Sequence, residues 1–156
     1  MGKTLAALII SLAVSGGAHA DTRFTGMAVR VLDGDTAEIL TSDKQRIRVR
    51  LANIDAPEKS QAFGQRSKQS LTELIAGKEV DVLDEGGDQY GRRIGRIYVG
   101  NTEANTEQVR AGMAWVYTRY NHNPALPAIQ AQARQGKKGL WVDPDPVEPW
   151  NFRHNK

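Results

Sequence analysis

The chain contains no cysteine. Disulfides are excluded, as are zinc sites built on thiolates and a lipid anchor on an N-terminal cysteine. Long apolar runs are nearly absent too. The run Leu5 to Val14 is too short to cross a bilayer as a mature helix, and nothing after residue 20 could span one. Histidine is scarce: His122 and His154 lie in irregular segments, lack metal-ligand spacing and are expected to face solvent. There is no internal repeat and no low-complexity linker.

What is present begins with an address. Lys3 gives a short positive start, the apolar run follows, and Ala18-His19-Ala20 has the small-x-small form of a cleavage site. Residues 1–20 are therefore expected to be a signal peptide, with a mature chain starting at Asp21. A periplasmic or secreted product is expected, free of the membrane after cleavage. With the leader gone, Lys plus Arg falls from 21 to 20 against 18 acids, a formal charge of +2. That permits nucleic-acid binding without arguing for it. The distribution says more: Lys44, Arg46, Arg48 and Arg50 fall in seven residues that hold no acid.

The pattern along residues 21–143 is that of one α+β domain. Thr22 to Leu32, Thr36 to Leu40 and Arg46 to Asn53 read as strands in a meander. In the third, Ile47, Val49 and Leu51 alternate with Arg46, Arg48 and Arg50, so the two sets face opposite ways. Ala62 to Ala76 reads as a helix stopped by Gly77. Glu79 to Leu83 and Arg93 to Val99 are two more strands, and Asn105 to Ala111 and Ala125 to Lys137 are helices. Five strands with a helix after the third match the five-stranded OB-fold Greek-key β-barrel, here with about three helices. Residues 144–156, with Pro144, Pro146 and Pro149, are expected to be an irregular tail.

Asp33-Gly34-Asp35-Thr36 by itself suits a hairpin turn as well as a metal site. It is not an EF-hand, which needs Gly at loop position 6 and Glu at position 12. Asp55-Ala56-Pro57-Glu58 alone also suits a turn or a helix cap. The two acidic turns follow strands expected to be neighbours, which puts Asp35 and Asp55 within one ion's reach. A hard divalent cation bound through oxygen, with Glu58 beside it, would suit metal-assisted attack of water on a phosphodiester. Arg50 and Arg92 could grip the phosphate, although a charge run is most often a solvated face. Trp115, Tyr117 and Tyr120 suit packing as well as base stacking.

Three strings make a resemblance specific. Val31-Leu32-Asp33-Gly34-Asp35-Thr36, Arg50-Leu51-Ala52-Asn53-Ile54-Asp55-Ala56-Pro57-Glu58 and Asp88-Gln89-Tyr90-Gly91-Arg92 occur in that order. With their spacing, the chain resembles the thermonuclease (staphylococcal nuclease-like) family from about Gly26 to Trp141. The resemblance implies a calcium-dependent endonuclease that hydrolyses DNA and RNA to 3′-phosphate ends, acting as a monomer. By the same resemblance Asp35, Asp55 and the carbonyl of Ala56 would hold Ca2+. Glu58 would be the general base, and Arg50 and Arg92 would bind phosphate. Tyr90, with Tyr117 or Tyr120, would contact the nucleotide. Ala56 stands where the family often has Thr, and Gln89 where its best-known member has Lys. A non-catalytic OB module that only binds nucleic acid would lack one or more of Asp35, Arg50, Asp55, Glu58 and Arg92. All five are present. A barrel binding sugar or protein would leave that constellation unexplained.

Overall fold

The computed structural model describes residues 22–156; the expected signal peptide and Asp21 lie outside the described residues. The architecture is built on one long strand, β1 (Thr22–Asp33). Its first half pairs antiparallel with β5 (Glu79–Gly87) and its second half with β2 (Thr36–Leu40). Register shifts between Ala28 and Arg30, and between Val31 and Asp33, bend it from one partner to the other. Gly26 lies at that crossing. A Cβ there would sit 2.6 Å from the Leu40 carbonyl oxygen.

β2 continues antiparallel to β3 (Arg46–Leu51), and β5 to β6 (Arg93–Val99). Parallel pairing of β3 with β6, Val49 opposite Arg93 and Leu51 opposite Gly95, closes the barrel. The expected five-stranded α+β OB-fold barrel is therefore what forms. Among the described residues three helices of seven residues or more join it: α1 (Gly64–Ile75), α2 (Ala104–Arg110) and α3 (Leu126–Gln135). Short strands β4 (Ile54–Asp55) and β8 (Trp115–Val116) pair with each other, and β7 (Thr102–Glu103) pairs with β6.

Alternation in the strands fills the interior with Ile39, Val49, Leu51, Val80, Val82 and Ile97. Leu71 and Ile75 of α1, Val109 of α2 and Leu126 of α3 cover the same core. A smaller cluster gathers Trp115, Ala133, Leu140 and Trp141, with Phe63 and Trp150 packed against it. Among the described residues no helix is long and apolar enough to cross a membrane.

Two expectations need correction. The third strand stops at Leu51 rather than Asn53, because Asn53 adopts a left-handed φ of 71°, which asparagine tolerates and a strand cannot contain. The tail is not irregular throughout: Pro149–His154 form a short helix, α4. Pro149 stands in its first turn, where the missing N–H has no helical partner to lose and φ is already set.

Candidate active site

Each acidic turn is held by α2. The Asp33–Thr36 turn joins β1 to β2, and Asp33 Oδ1 accepts the Asp35 amide at 3.0 Å. The hairpin and the carboxylate site are thus the same object. Gly34 packs flush on α1: a Cβ there would meet Ser67 Oγ at 1.8 Å. Gln108 Nε2 donates to the Gly34 carbonyl at 2.7 Å and to that of Ser67 at 3.0 Å. Three residues earlier on the helix, Asn105 Nδ2 donates to the carbonyls of Ala52 at 3.0 Å and Gly95 at 3.1 Å. Asn105 Oδ1 takes the Ile97 amide at 3.1 Å. The spacing of three keeps both amides on one face. One fixes the turn that carries Asp35, the other the loop leading to Asp55. Both amides are fully buried and were not among the expected site residues. The available signal was two amides at i, i+3 flanked by the apolar Ala104 and Val109.

The geometry brings Asp35, Asp55 and Arg50 together. Asp35 Oδ2 accepts the Ala56 amide at 2.7 Å, which ties the two acidic segments directly. Arg50 Nη2 lies 3.3 Å from Asp35 Oδ2 and 3.1 Å from Asp55 Oδ1. Its Nη1 donates to the carbonyls of Leu51 at 2.8 Å and Ile54 at 2.9 Å. Arg48, two residues earlier on the same side of the strand, pairs instead with Glu38 at 3.1 Å and is half exposed. The basic strand therefore divides. Arg46 and Arg48 form a solvated face around Glu38, and Arg50 belongs to the carboxylates.

Charge is crowded here. Burial, then the neighbouring Asp35, pushes the Asp33 carboxyl up to about 7. Asp55, only 1 % exposed, is also raised by burial, against the opposing pull of Arg153 and Arg50. These carboxylates want a compensating cation.

α4 supplies one. Arg153 donates from Nη1 to Asp55 Oδ1 at 3.1 Å and to Glu58 Oε1 at 2.7 Å, and from Nη2 to Asp55 Oδ2 at 2.9 Å. Burial would lower its pKa, but the hydrogen bonds to Asp55 and Glu58 outweigh that and raise it. Arg153 is what links Glu58 to Asp55. Arg153 is not among the expected site residues, because the proline spacing masks the helix in the sequence. Pro149 followed by Trp150, Phe152 and Arg153 was the signal for a helix start.

Arg92 and Tyr90 lie apart from this cluster, in the loop between β5 and β6. Arg92 Nε pairs with Asp88 Oδ2 at 2.7 Å, and its guanidinium sits over the Tyr90 ring, 5.4 Å from the centroid. Desolvation would raise the Asp88 carboxyl, but the bonds from the Arg92 amide, the Arg92 side chain and the Tyr90 amide together outweigh it and hold the carboxyl below the usual range. Tyr90 is 73 % exposed. The loop is carried by β6, whose Ile94 is paired with Arg50 of β3, so it stands over the same end of the barrel. On another side, Tyr117 stacks on Trp150 with ring centroids 5.4 Å apart and an interplanar angle of 6°. Tyr120 meets Tyr117 edge-on at 4.8 Å and is itself exposed.

Among the described residues, no three His, Cys, Asp or Glu side chains form a ready cage for a metal. The groups that could hold one are fewer: the carboxylates of Asp35 and Asp55, with the carbonyl of Ala56 next in sequence. One guanidinium nitrogen reaches both carboxylates and a second arginine chelates Asp55, so the place accepts positive charge between oxygens. An oxygen-only set of two carboxylates and a carbonyl suits a hard, geometrically tolerant ion such as calcium.

Comparison with known proteins agrees with these motifs. The family model described as Staphylococcal nuclease homologue matches residues 48–143. An uncharacterized endonuclease of Escherichia coli O157:H7 is 52 % identical over 132 residues, covering 84 % of this chain and 86 % of that protein. A micrococcal nuclease of Shigella flexneri is 43 % identical over 163 residues, covering 97 % of this chain and 91 % of its own length. An uncharacterized endonuclease of Haemophilus influenzae is 43 % identical over 132 residues, with 85 % and 74 % coverage.

Proposed function

The chain belongs to the staphylococcal nuclease homologue family and is a nuclease; from that premise we propose that it is a calcium-dependent enzyme hydrolysing DNA and RNA to 3′-phosphate ends in the periplasm or outside the cell. The observation that carries this reading is the buried pair Asp35 and Asp55, drawn together by the Ala56 amide and by Arg50.

Asp35, Asp55 and the Ala56 carbonyl would hold calcium, which when bound supplies a Lewis acid for a phosphate oxygen. Glu58 orients the attacking water and takes its proton. Arg50, already fixed by two backbone carbonyls, needs little reorganisation to donate to the phosphate oxygens as charge gathers on them. Arg92 approaches from the β5–β6 loop, donates to the same phosphate and stabilises the leaving oxygen. Tyr90 offers an exposed ring to a base or sugar, and Tyr117 with Tyr120 a second aromatic surface. Every group needed by a lone chain is on that chain, in keeping with action as a monomer.

Plasmid DNA and RNA incubated with the purified mature protein test the reading. Excess chelator abolishes cleavage, calcium restores it, and the new ends resist extension until a phosphatase removes their 3′-phosphate. Cleavage that persists in chelator contradicts the metal assignment. Ends that a polymerase extends directly contradict the product assignment. The leader rests on Lys3, the apolar run and Ala18-His19-Ala20. Mass spectrometry of exported protein should find Asp21 at the N-terminus, and an intact Met1 would overturn that part.

A further inference from the structure

The last helix lies where a nuclease would want its ligands. Arg153 chelates both oxygens of Asp55 and touches Glu58, the residues assigned to the cation and the water. One turn earlier on α4, Trp150 lies parallel to Tyr117 at 5.4 Å, as a nucleobase would, and meets Trp115 edge-on at 6.0 Å. A single short element therefore covers a metal carboxylate, the candidate base and an aromatic nucleotide surface at once.

We propose that α4 is an intramolecular occupant of the active site, in which Arg153 stands in for the cation and Trp150 for a base, so that calcium and substrate bind by displacing it. The inference rests on the calcium-nuclease reading above. The helix is built to leave. Six residues form no stable helix alone, so its structure depends on its seat. The seat is incompletely filled: a cleft of about 170 Å³ remains among Pro57, Phe63, Trp115, Leu140, Val147 and Phe152. Pro149 is buried at its start, and the flanking residues add polar contacts, Gln61 Nε2 to the Val147 carbonyl at 2.6 Å and Lys156 Nζ to Ser60 Oγ at 3.2 Å.

Arg50 reaches only one oxygen of Asp55, whereas Arg153 engages both and competes with a dication for them. Calcium then binds only the fraction of molecules in which α4 is unseated, and its apparent affinity falls by that fraction. A helix seated about ten times more often than not weakens apparent calcium binding roughly tenfold.

Calcium titration of the full mature chain by isothermal calorimetry, without nucleic acid, tests this. Arg153→Ala should tighten calcium binding by about fivefold or more. Trp150→Ala, which touches no metal donor, should shift it in the same direction, and circular dichroism should show both variants folded. In the parent chain calcium should also change tryptophan fluorescence, and Trp150→Phe should remove most of that change. Equal affinity in all three proteins, or weaker binding after Arg153→Ala, overturns the occupant role while leaving the calcium site standing. Failure of the parent and both variants alike to bind calcium would overturn the calcium reading itself, and this inference with it.

Discussion

Gln108 offers the sharpest test of how the barrel holds its chemistry. Its side chain is fully buried, donates to the Gly34 and Ser67 carbonyls and accepts the Ser70 hydroxyl at 2.6 Å. Gln108→Met keeps most of the volume and removes every hydrogen bond. The Ser67 carbonyl lies within α1 and keeps its helical acceptor role, and the part-buried Ser70 hydroxyl can turn elsewhere. The Gly34 carbonyl has no such alternative in a turn packed against Ser67. Leaving one buried acceptor unmet costs about 1–3 kcal/mol. Gln108→Ala adds a cavity and should cost about 3–5 kcal/mol. Urea unfolding in chelator, where calcium cannot stabilise the folded state, measures both. A displaced Asp33–Thr36 turn also misplaces Asp35. Gln108→Met should therefore lose on the order of tenfold or more in DNA cleavage at a temperature where it is fully folded. If Gln108→Met were as stable as the parent within about 0.5 kcal/mol and fully active, α2 would not be what holds the acidic turn.

Other consequences follow from the same geometry. Arg50→Ala should reduce turnover several-hundred-fold, equivalent to about 3–4 kcal/mol of transition-state stabilisation, and Lys should not restore it. Arg48→Ala, which loses only the half-exposed pair with Glu38, should leave turnover within a few-fold; equal losses at both positions would make the strand a general electrostatic surface. Tyr90→Ala should raise KM more than it lowers kcat in steady-state assays, as the proposed nucleotide contact of its exposed ring requires, and the opposite split would mean it orders Arg92. Burial, then Glu103, raises the Tyr98 hydroxyl above 10.0, so the folded chain keeps a proton that the unfolded chain loses. Stability should fall as pH rises from 10.0 toward that raised value, and Tyr98→Phe should flatten that limb in thermal unfolding.

The barrel was legible because alternation and turn residues agree with it. Ile47, Val49 and Leu51 opposite three arginines specify a half-buried strand, and Asp33-Gly34-Asp35 specifies the hairpin, whatever the tertiary context. The pairing of Asp35 with Asp55 was legible for the same reason, since β2 and β3 are consecutive antiparallel strands with Thr36 opposite Arg50. Identical residue types did not reveal their division of labour. Arg48 and Arg50 differ through their partners, Glu38 directly across the β2–β3 ladder for one and Asp55 beyond the end of β3 for the other. Asn105 and Gln108 escaped notice because a buried amide and an exposed amide look alike in a helix until the carbonyls they face are known. Arg153 was hidden twice. Three prolines masked a six-residue helix, and its partner Asp55 lies almost a hundred residues away, where no local pattern reaches.

In the proposed reaction two carboxylates, Asp35 and Asp55, hold the calcium on which phosphodiester cleavage depends. Initial rates of plasmid cleavage against buffered free calcium, for the parent chain, Asp35→Asn and Arg48→Ala, test it most directly. The parent should show a saturable calcium dependence. Arg48→Ala should show the same half-saturating calcium, and Asp35→Asn should need at least about tenfold more calcium or show no cleavage at all. A parent rate independent of calcium, or an Asp35→Asn curve superimposed on the parent's, would contradict it.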